Sequence, residues 1–169
     1  MSRAIVTGVL LLTAAVSQDA VAQRRTPGQS PATGSEVSIM ARLGSKSYTA
    51  SVRGSCKHES SASIYDLPAA LWMVEAEGTE GSQVRRLNLT LWRPKNGSAD
   101  QISLSLDAGS SSTRIDLNPR NKPVGSATIQ LQPEGSGGKF ELEGKNAKGT
   151  PISLTISCPR FEGIEAAGG

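Results

Sequence analysis

The sequence predicts an all-β protein, an antiparallel β-sandwich (immunoglobulin-like or barrel-like) of about eight or nine short strands. Three observations support this prediction. Apolar residues alternate with polar ones in almost every segment between residues 36 and 161, which is the pattern of strands that bury one face. Clusters of glycine, proline, asparagine and serine separate these segments. The two cysteines also stand in phase with the apolar residues of their own segments.

The alternating segments follow one another along the chain at short spacing. In the first, Val37, Ile39 and Leu43 share one face, and Gly44 then turns the chain into the second. Alternation within a strand turns successive side chains to opposite faces, so each segment has one apolar face and one polar face. The predicted strands cover residues 37–43, 46–56, 84–92, 102–106, 113–117, 127–131, 140–143 and 152–158.

One further segment, residues 66–78, allows two interpretations. Asp66 as an N-cap, an early Pro68 and a terminal Gly78 are helix signals. The same residues also fit a strand that is apolar on both faces, with Trp72 on one face and Met73 on the other. We favour the strand, because residues 78–82 have the composition of a hairpin loop leading into the strand at 84–92.

The two cysteines end two of the predicted strands. Cys56 is in phase with Val52, and Cys158 is in phase with Leu154 and Ile156, so both sulfurs are expected to point into the core. They lie 102 residues apart, unlike the closely spaced pair of a redox motif. We predict a Cys56–Cys158 disulfide, which by the loop-entropy relation stabilises the fold by about 4–5 kcal/mol. The alternative is a pair of free buried thiols.

The N-terminal residues have the pattern of a secretory signal peptide. Arg3 supplies a positive charge, and an apolar run of about 13 residues follows, shorter than the roughly 20 that a membrane-spanning helix needs. Ala20 and Ala22 give the small-residue pattern that signal peptidase cleaves, with Gln23 as the first mature residue. We therefore expect a periplasmic or secreted protein without a transmembrane segment in the mature chain; the alternative is an uncleaved anchor.

Composition divides the remaining chain into three parts. Residues 23–35 are rich in proline, glycine, serine and glutamine and are predicted to be a disordered leader. Residues 36–161 form a single β-sandwich domain, and residues 162–169 form a flexible tail. The formal net charge is only +3, and the basic residues are scattered, so we expect no nucleic-acid partner.

Residues capable of catalysis are few. His58 is the only histidine, and we expect it on an exposed loop after the second strand. Carboxylates two residues apart recur at Glu75/Glu77 and Glu141/Glu143, on the outward faces of their strands. Such a pair could serve a small hydrolase or a cation-binding module, but solvated outer faces are the simpler interpretation. We predict no catalytic residues, no metal ligands and no cofactor.

The most distinctive surface feature is a tryptophan among cations. Trp92 is out of phase with the leucines of its strand and is expected to face outward, near Arg86, Arg93 and Lys95. An exposed tryptophan with neighbouring cations can contact a protein, a peptide or a carbohydrate, and a partner from the cell envelope would suit an exported protein. The alternative is that Trp92 caps the open end of the sandwich or packs under the loop at Pro94.

Two stretches, residues 140–143 (Phe-Glu-Leu-Glu) and 152–158, resemble small bacterial cell-envelope antigens of the mycobacterial lipoprotein type. The chain lacks the cysteine that anchors a lipid in those proteins, and no functional residue is carried over. The sequence as a whole predicts an exported, non-catalytic β-sandwich protein with a binding or envelope-structural role and an unknown ligand. A small hydrolase or cation-binding module is the alternative.

Overall fold

A computed structural model describes residues 34–164 of the chain, and within this range it contains strands and no helix. The predicted all-β, antiparallel fold is therefore confirmed. The strands are β1 (Ser35–Leu43), β2 (Lys46–Ile64), β3 (Leu67–Glu77), β4 (Val84–Pro94), β5 (Gln101–Ala108), β6 (Ser111–Asp116), β7 (Ser126–Glu134), β8 (Gly137–Lys145), β9 (Pro151–Cys158) and the two-residue β10 (Glu162–Gly163).

The first nine strands form one curled antiparallel sheet in the order β6-β5-β4-β3-β2-β1-β9-β8-β7. Strands that are neighbours in sequence are mostly neighbours in the sheet, as short hairpin connections require. The exception is the pairing of β1 with β9, which places the first and last long strands side by side in the interior of the sheet. Strands β6 and β7 are consequently the two edges of the sheet.

The core lies on one face of this sheet, and the alternation seen in the sequence places its residues there. Fully buried leucine and isoleucine side chains come from β1, β4, β5, β6, β8 and β9. Each stabilises the fold by about 1.5–3 kcal/mol relative to exposure. The largest side chains with almost no exposure are Phe140, Ile39, Leu87, Leu89, Leu91, Leu104, Leu106, Ile115, Leu142, Ile152, Leu154 and Ile156.

The segment at residues 66–78 is a strand and not a helix, as predicted, and its strand bounds are Leu67–Glu77. Within β3, Trp72 and Val74 are buried on the core face, and Leu71 is buried on the opposite face. Asp66, the apparent N-cap, belongs instead to the turn between β2 and β3, with Tyr65 before it. Their φ angles are 65° and 52°. Two positive φ angles are the signature of a tight hairpin turn whose twist matches the flanking strands.

The predicted disulfide is present and joins β2 to β9, with 6.1 Å between the Cα atoms of Cys56 and Cys158. Both cysteines are buried, with 1% and 4% of their surface exposed. Strand β1 lies between β2 and β9 in the sheet, and its first residue, Ser35, pairs with Gly54 of β2. The disulfide therefore ties the two flanking strands together close to the point where β1 begins.

The chain remains attached to the sheet after Cys158. The Phe161 N–H donates a hydrogen bond to the Ser136 carbonyl at 2.8 Å, and β10 pairs in parallel with Lys57 and His58 of β2. Strand pairing thus includes Ser35, the last residue of the predicted leader, and the first two residues of the predicted tail. The predicted signal peptide (1–22), the leader up to residue 33 and tail residues 165–169 lie outside the described residues.

Candidate binding surfaces

Trp92 lies on the outer face of the sheet near the end of β4. Leu87, Leu89 and Leu91 are at most 1% exposed on the core face, and Trp92 is half-buried on the opposite face. It stands directly opposite Leu71 of β3 and Gln101 of β5. Residues opposite each other in an antiparallel pair share a face, so Trp92 has one apolar and one amide neighbour.

Arg93 follows Trp92 and therefore points to the other side of the strand. Its guanidinium lies 5.6 Å from the ring centroid of Trp72 and forms an ion pair with Asp100, with Nη2 2.7 Å from Oδ2 and Nε 3.0 Å from Oδ1. The hydrogen bond to Asp100 raises the pKa of Arg93 above its usual value. Arg93 thus contributes to the end of the core rather than to the surface around Trp92.

The other two predicted cations, Arg86 and Lys95, also lie at separate positions on the surface. Arg86 is on the outer face of β4 but six residues from Trp92, about 20 Å along the strand. Its Nε lies 3.6 Å from a carboxylate oxygen of Glu77. Lys95 is exposed just after β4, and its backbone N–H donates to the Pro68 carbonyl at 2.8 Å. The four predicted residues therefore do not form one patch, and Trp92 alone remains as the centre of an outer-face patch.

Two apolar side chains of β3 lie beside Trp92 on the outer face. Leu71, 8% exposed, lies beside Trp92 on β3, and the half-buried Met73 follows two residues later on the same face. We call Trp92, Leu71 and Met73 the Trp92 patch. Sequence reasoning missed its two β3 members, because residues 66–78 are apolar on both faces and the strand register is needed to align them with Trp92.

A row of alternating charges crosses the same face at the opposite end of these strands. The register places Glu36, Arg53, Glu77, Arg86 and Asp107 opposite one another on β1 to β5. Opposite charges across strands stabilise a sheet by about 0.2–1 kcal/mol per pair. Arg86 therefore has acidic neighbours on both adjacent strands and belongs to this row of the sheet surface. The alternating outward charges were visible in the sequence, but their alignment was not.

His58 lies within β2 and not on a loop, so the sequence expectation for it was wrong. Strand β2 continues to Ile64 because β3 pairs with it as far as Leu67. The imidazole stacks on the Trp72 ring, with centroids 4.5 Å apart and planes 10° apart. Its Nδ1 is 3.0 Å from the Leu71 carbonyl oxygen. A carbonyl only accepts, so Nδ1 carries a hydrogen.

This cluster continues toward the disulfide. The Phe161 ring meets His58 edge-on at 6.1 Å and Phe140 at 5.9 Å. Aromatic pairs at these distances stabilise by about 0.5–1.5 kcal/mol beyond the area they bury. The order Arg93, Trp72, His58, Phe161, Phe140 therefore forms a continuous packed series at one end of the core. Its geometry is that of a structural cluster that closes this end.

The carboxylate pairs are both on the outer face, and three of the four side chains have partners. Glu141 forms an ion pair with Lys139 at 2.5 Å, which raises the pKa of the lysine. Glu143 accepts a hydrogen bond from the Ser153 hydroxyl at 2.6 Å. Glu77 is 78% exposed beside Arg86. Across residues 34–164 there is no cluster of three histidine, cysteine, aspartate or glutamate side chains arranged to hold a metal ion.

A broad depression in the described surface lies beside the first half of β2. It is open to solvent and is bounded by Arg53 and by the loop at residues 78–83. The Gln83 side-chain carbonyl accepts a hydrogen bond from the Thr49 N–H at 2.9 Å, which holds this loop against β2. The lining mixes polar and apolar side chains, and it contains none of the residues of the Trp92 patch.

In comparisons with known proteins, no family model, curated protein or solved structure matches the chain. Within the part of the chain that the structure describes, no helix is long and apolar enough to be a membrane span.

Proposed function

We propose that the chain is an exported protein, periplasmic or secreted, that acts without catalysis by binding a partner or as a structural part of the cell envelope. The observation that carries this proposal is the buried Cys56–Cys158 disulfide, which uses both cysteines of the sequence. Disulfides persist in oxidising compartments and are rare in the reducing cytosol. The signal-like pattern of residues 1–22 supports the same compartment.

Export is tested by expressing the full chain in a bacterium and separating the cell fractions. We expect the protein in the periplasm or medium, beginning at Gln23, with both cysteines resistant to thiol alkylation unless a reductant is added first. A full-length protein beginning at Met1 in the cytosol, with both thiols free to react, would contradict the proposal. Mass spectrometry measures the N-terminus and the thiol state on the same sample.

The surface that we propose for binding is the Trp92 patch. Tryptophan is enriched among residues that dominate binding energy, because one flat ring offers a large contact area at low entropic cost. The half-buried Met73 extends the apolar contact on the same face, and the buried Leu71 lies directly beside the ring. The ligand is proposed as a protein, peptide or carbohydrate of the cell envelope, since that is what an exported protein meets.

A matched pair of variants tests this surface. Trp92→Ala removes the ring, and Met40→Ala removes an exposed apolar side chain, 55% exposed, from the outer face of β1. We expect the first variant to lose retention of envelope material by the immobilised protein, and the second to keep it. Equal retention by both variants, each folded by circular dichroism, would remove the Trp92 patch from the proposal while leaving export unaffected.

A further inference from the structure

The two edge strands of the sheet differ in how well they are protected. Open edges present unpaired N–H and C=O groups, which proteins usually blunt with charges, proline, bulges or very short strands. Strand β6 has only six residues, carries Arg114 near its middle, and at Asp116 exchanges two backbone hydrogen bonds of 2.9 Å with Val124. Among the described residues, strand β7 pairs with β8 alone, and its first charged or proline residue is Pro133.

The register of the β7–β8 hairpin shows which groups of β7 are free. Glu134 and Gly137 flank a two-residue turn, so they form a hydrogen-bonded pair, and such pairs alternate along the ladder. The even-numbered residues of β7 therefore bond to β8. The N–H and C=O groups of Ala127, Ile129 and Leu131 point away from β8, and in residues 34–164 no strand pairs with them.

Strand β7 is complementary to a second copy of itself. When two copies are antiparallel and centred on Ile129, Ile129 faces its own copy and Ala127 faces Leu131 of the other. Ala127, Ile129 and Leu131 are the residues whose backbone N–H and C=O groups are free. Each pair of facing residues therefore exchanges two hydrogen bonds between the copies. Their side chains share the apolar face, and Thr128 faces Gln130 on the polar face. No charged residue lies between Ser126 and Gln132, so no like charges meet.

We infer that the protein forms a two-fold dimer through antiparallel pairing of β7 with β7 of a second copy, which continues the sheet across the interface. A second copy is the occupant that the register specifies, because this pairing satisfies all three free residues at once. Pairing of β7 with β6 of another copy would leave a β7 and a β6 edge open at the ends and would build a filament. The two-fold pairing closes.

Charge substitutions on the polar face test this register. In Thr128→Lys/Gln130→Lys, each lysine would face a lysine of the other copy, and we expect the dimer to dissociate at least about tenfold more readily. In Thr128→Lys/Gln130→Glu each lysine would face a glutamate, and we expect the dimer to persist. Ser153→Lys/Thr155→Lys adds the same two charges to central strand β9 and is expected to leave the dimer unchanged.

Light scattering coupled to size exclusion measures the mass of each variant from micromolar to near-millimolar concentration, and circular dichroism checks its fold. A wild-type protein that stays monomeric or forms polydisperse filaments would overturn the inference. So would a Thr128→Lys/Gln130→Lys variant that is as dimeric as the wild type. Hydrogen exchange gives an independent readout. The amides of Ala127, Ile129 and Leu131 should become protected as concentration rises, whereas those of Thr128 and Gln130, already bonded to β8, should not change.

Discussion

Tyr65 and Asp66 show at the residue scale how the β2–β3 hairpin is held. Their positive φ angles, 52° and 65°, cost an ordinary residue about 1–2 kcal/mol each. The surroundings offset this cost, because the Tyr65 hydroxyl donates to Asn118 Oδ1 at 2.7 Å and the Arg120 guanidinium lies 3.6 Å from the centre of its ring. These contacts fix the hairpin tip to the distant loop at residues 117–123.

Replacing Asp66 by glycine should stabilise the protein, since glycine adopts positive φ without a Cβ clash. Part of the gain is lost to the greater freedom of glycine in the unfolded chain, so we expect about 0.5–1 kcal/mol. Urea unfolding measures the change. Asp66→Ala is the control, because alanine keeps the Cβ and lacks the local hydrogen bonding of aspartate. A stability for Asp66→Gly at or below that of Asp66→Ala would contradict the explanation.

Tyr65→Phe isolates the hydrogen bond to Asn118. The ring and its contact with Arg120 remain, whereas the hydroxyl that donates at 2.7 Å is removed. We expect a loss of about 0.5–1.5 kcal/mol in the free energy of unfolding. In the Asn118→Ala background the same substitution should have almost no effect, because the acceptor is already absent. Equal losses in both backgrounds would show that the bond does not stabilise the tip.

At the scale of secondary-structure elements, strand β2 depends on a close approach to β1 and β3. At Gly54 an added Cβ would lie 2.5 Å from the Glu75 carbonyl oxygen and 2.9 Å from a Val37 methyl group. Backbone on one side and a core side chain on the other leave no room for a methyl group. The crowding occurs where β1 begins beside β2, two residues before the disulfide, so this glycine lets three strands meet there.

Gly54→Ala should therefore destabilise the fold by about 1–3 kcal/mol through overpacking. Gly163→Ala is the matched control, because nothing lies within 4 Å of a Cβ at that position. We expect the control to stay within about 0.5 kcal/mol of the wild type. Thermal unfolding followed by circular dichroism compares the two. A Gly54→Ala protein as stable as the control would mean that the strands can separate at no cost.

The elements themselves could be largely predicted from the sequence, whereas their arrangement could not. Alternation indicates which residues of a strand face the core, and it correctly placed Cys56 and Cys158 in the buried phase. It carries no information about register. For that reason the charge row through Arg53 and Arg86 and the contact of Leu71 with Trp92 were missed. His58 was placed on a loop because residues 57–61 are all polar, so the sequence shows no apolar alternation there although β2 continues.

The whole molecule combines local hairpins with one long-range closure. Most neighbouring strands are joined by short turns, but β1 and β9 are paired across more than half of the chain. Bringing such distant segments together costs loop entropy, which slows folding and lowers stability. The Cys56–Cys158 bond links the two strands that flank β1. It therefore restricts the unfolded chain at the closure where the entropic cost is greatest.

The Cys56–Cys158 bond stabilises the folded chain by restricting the unfolded one, and urea unfolding with and without a reductant tests this effect directly. We predict that reduction lowers the free energy of unfolding by about 4–5 kcal/mol, the value for closing a loop of 102 residues. Under this account the reduced chain regains its stability on reoxidation. An unchanged free energy of unfolding after complete reduction, confirmed by thiol titration, would contradict the claim.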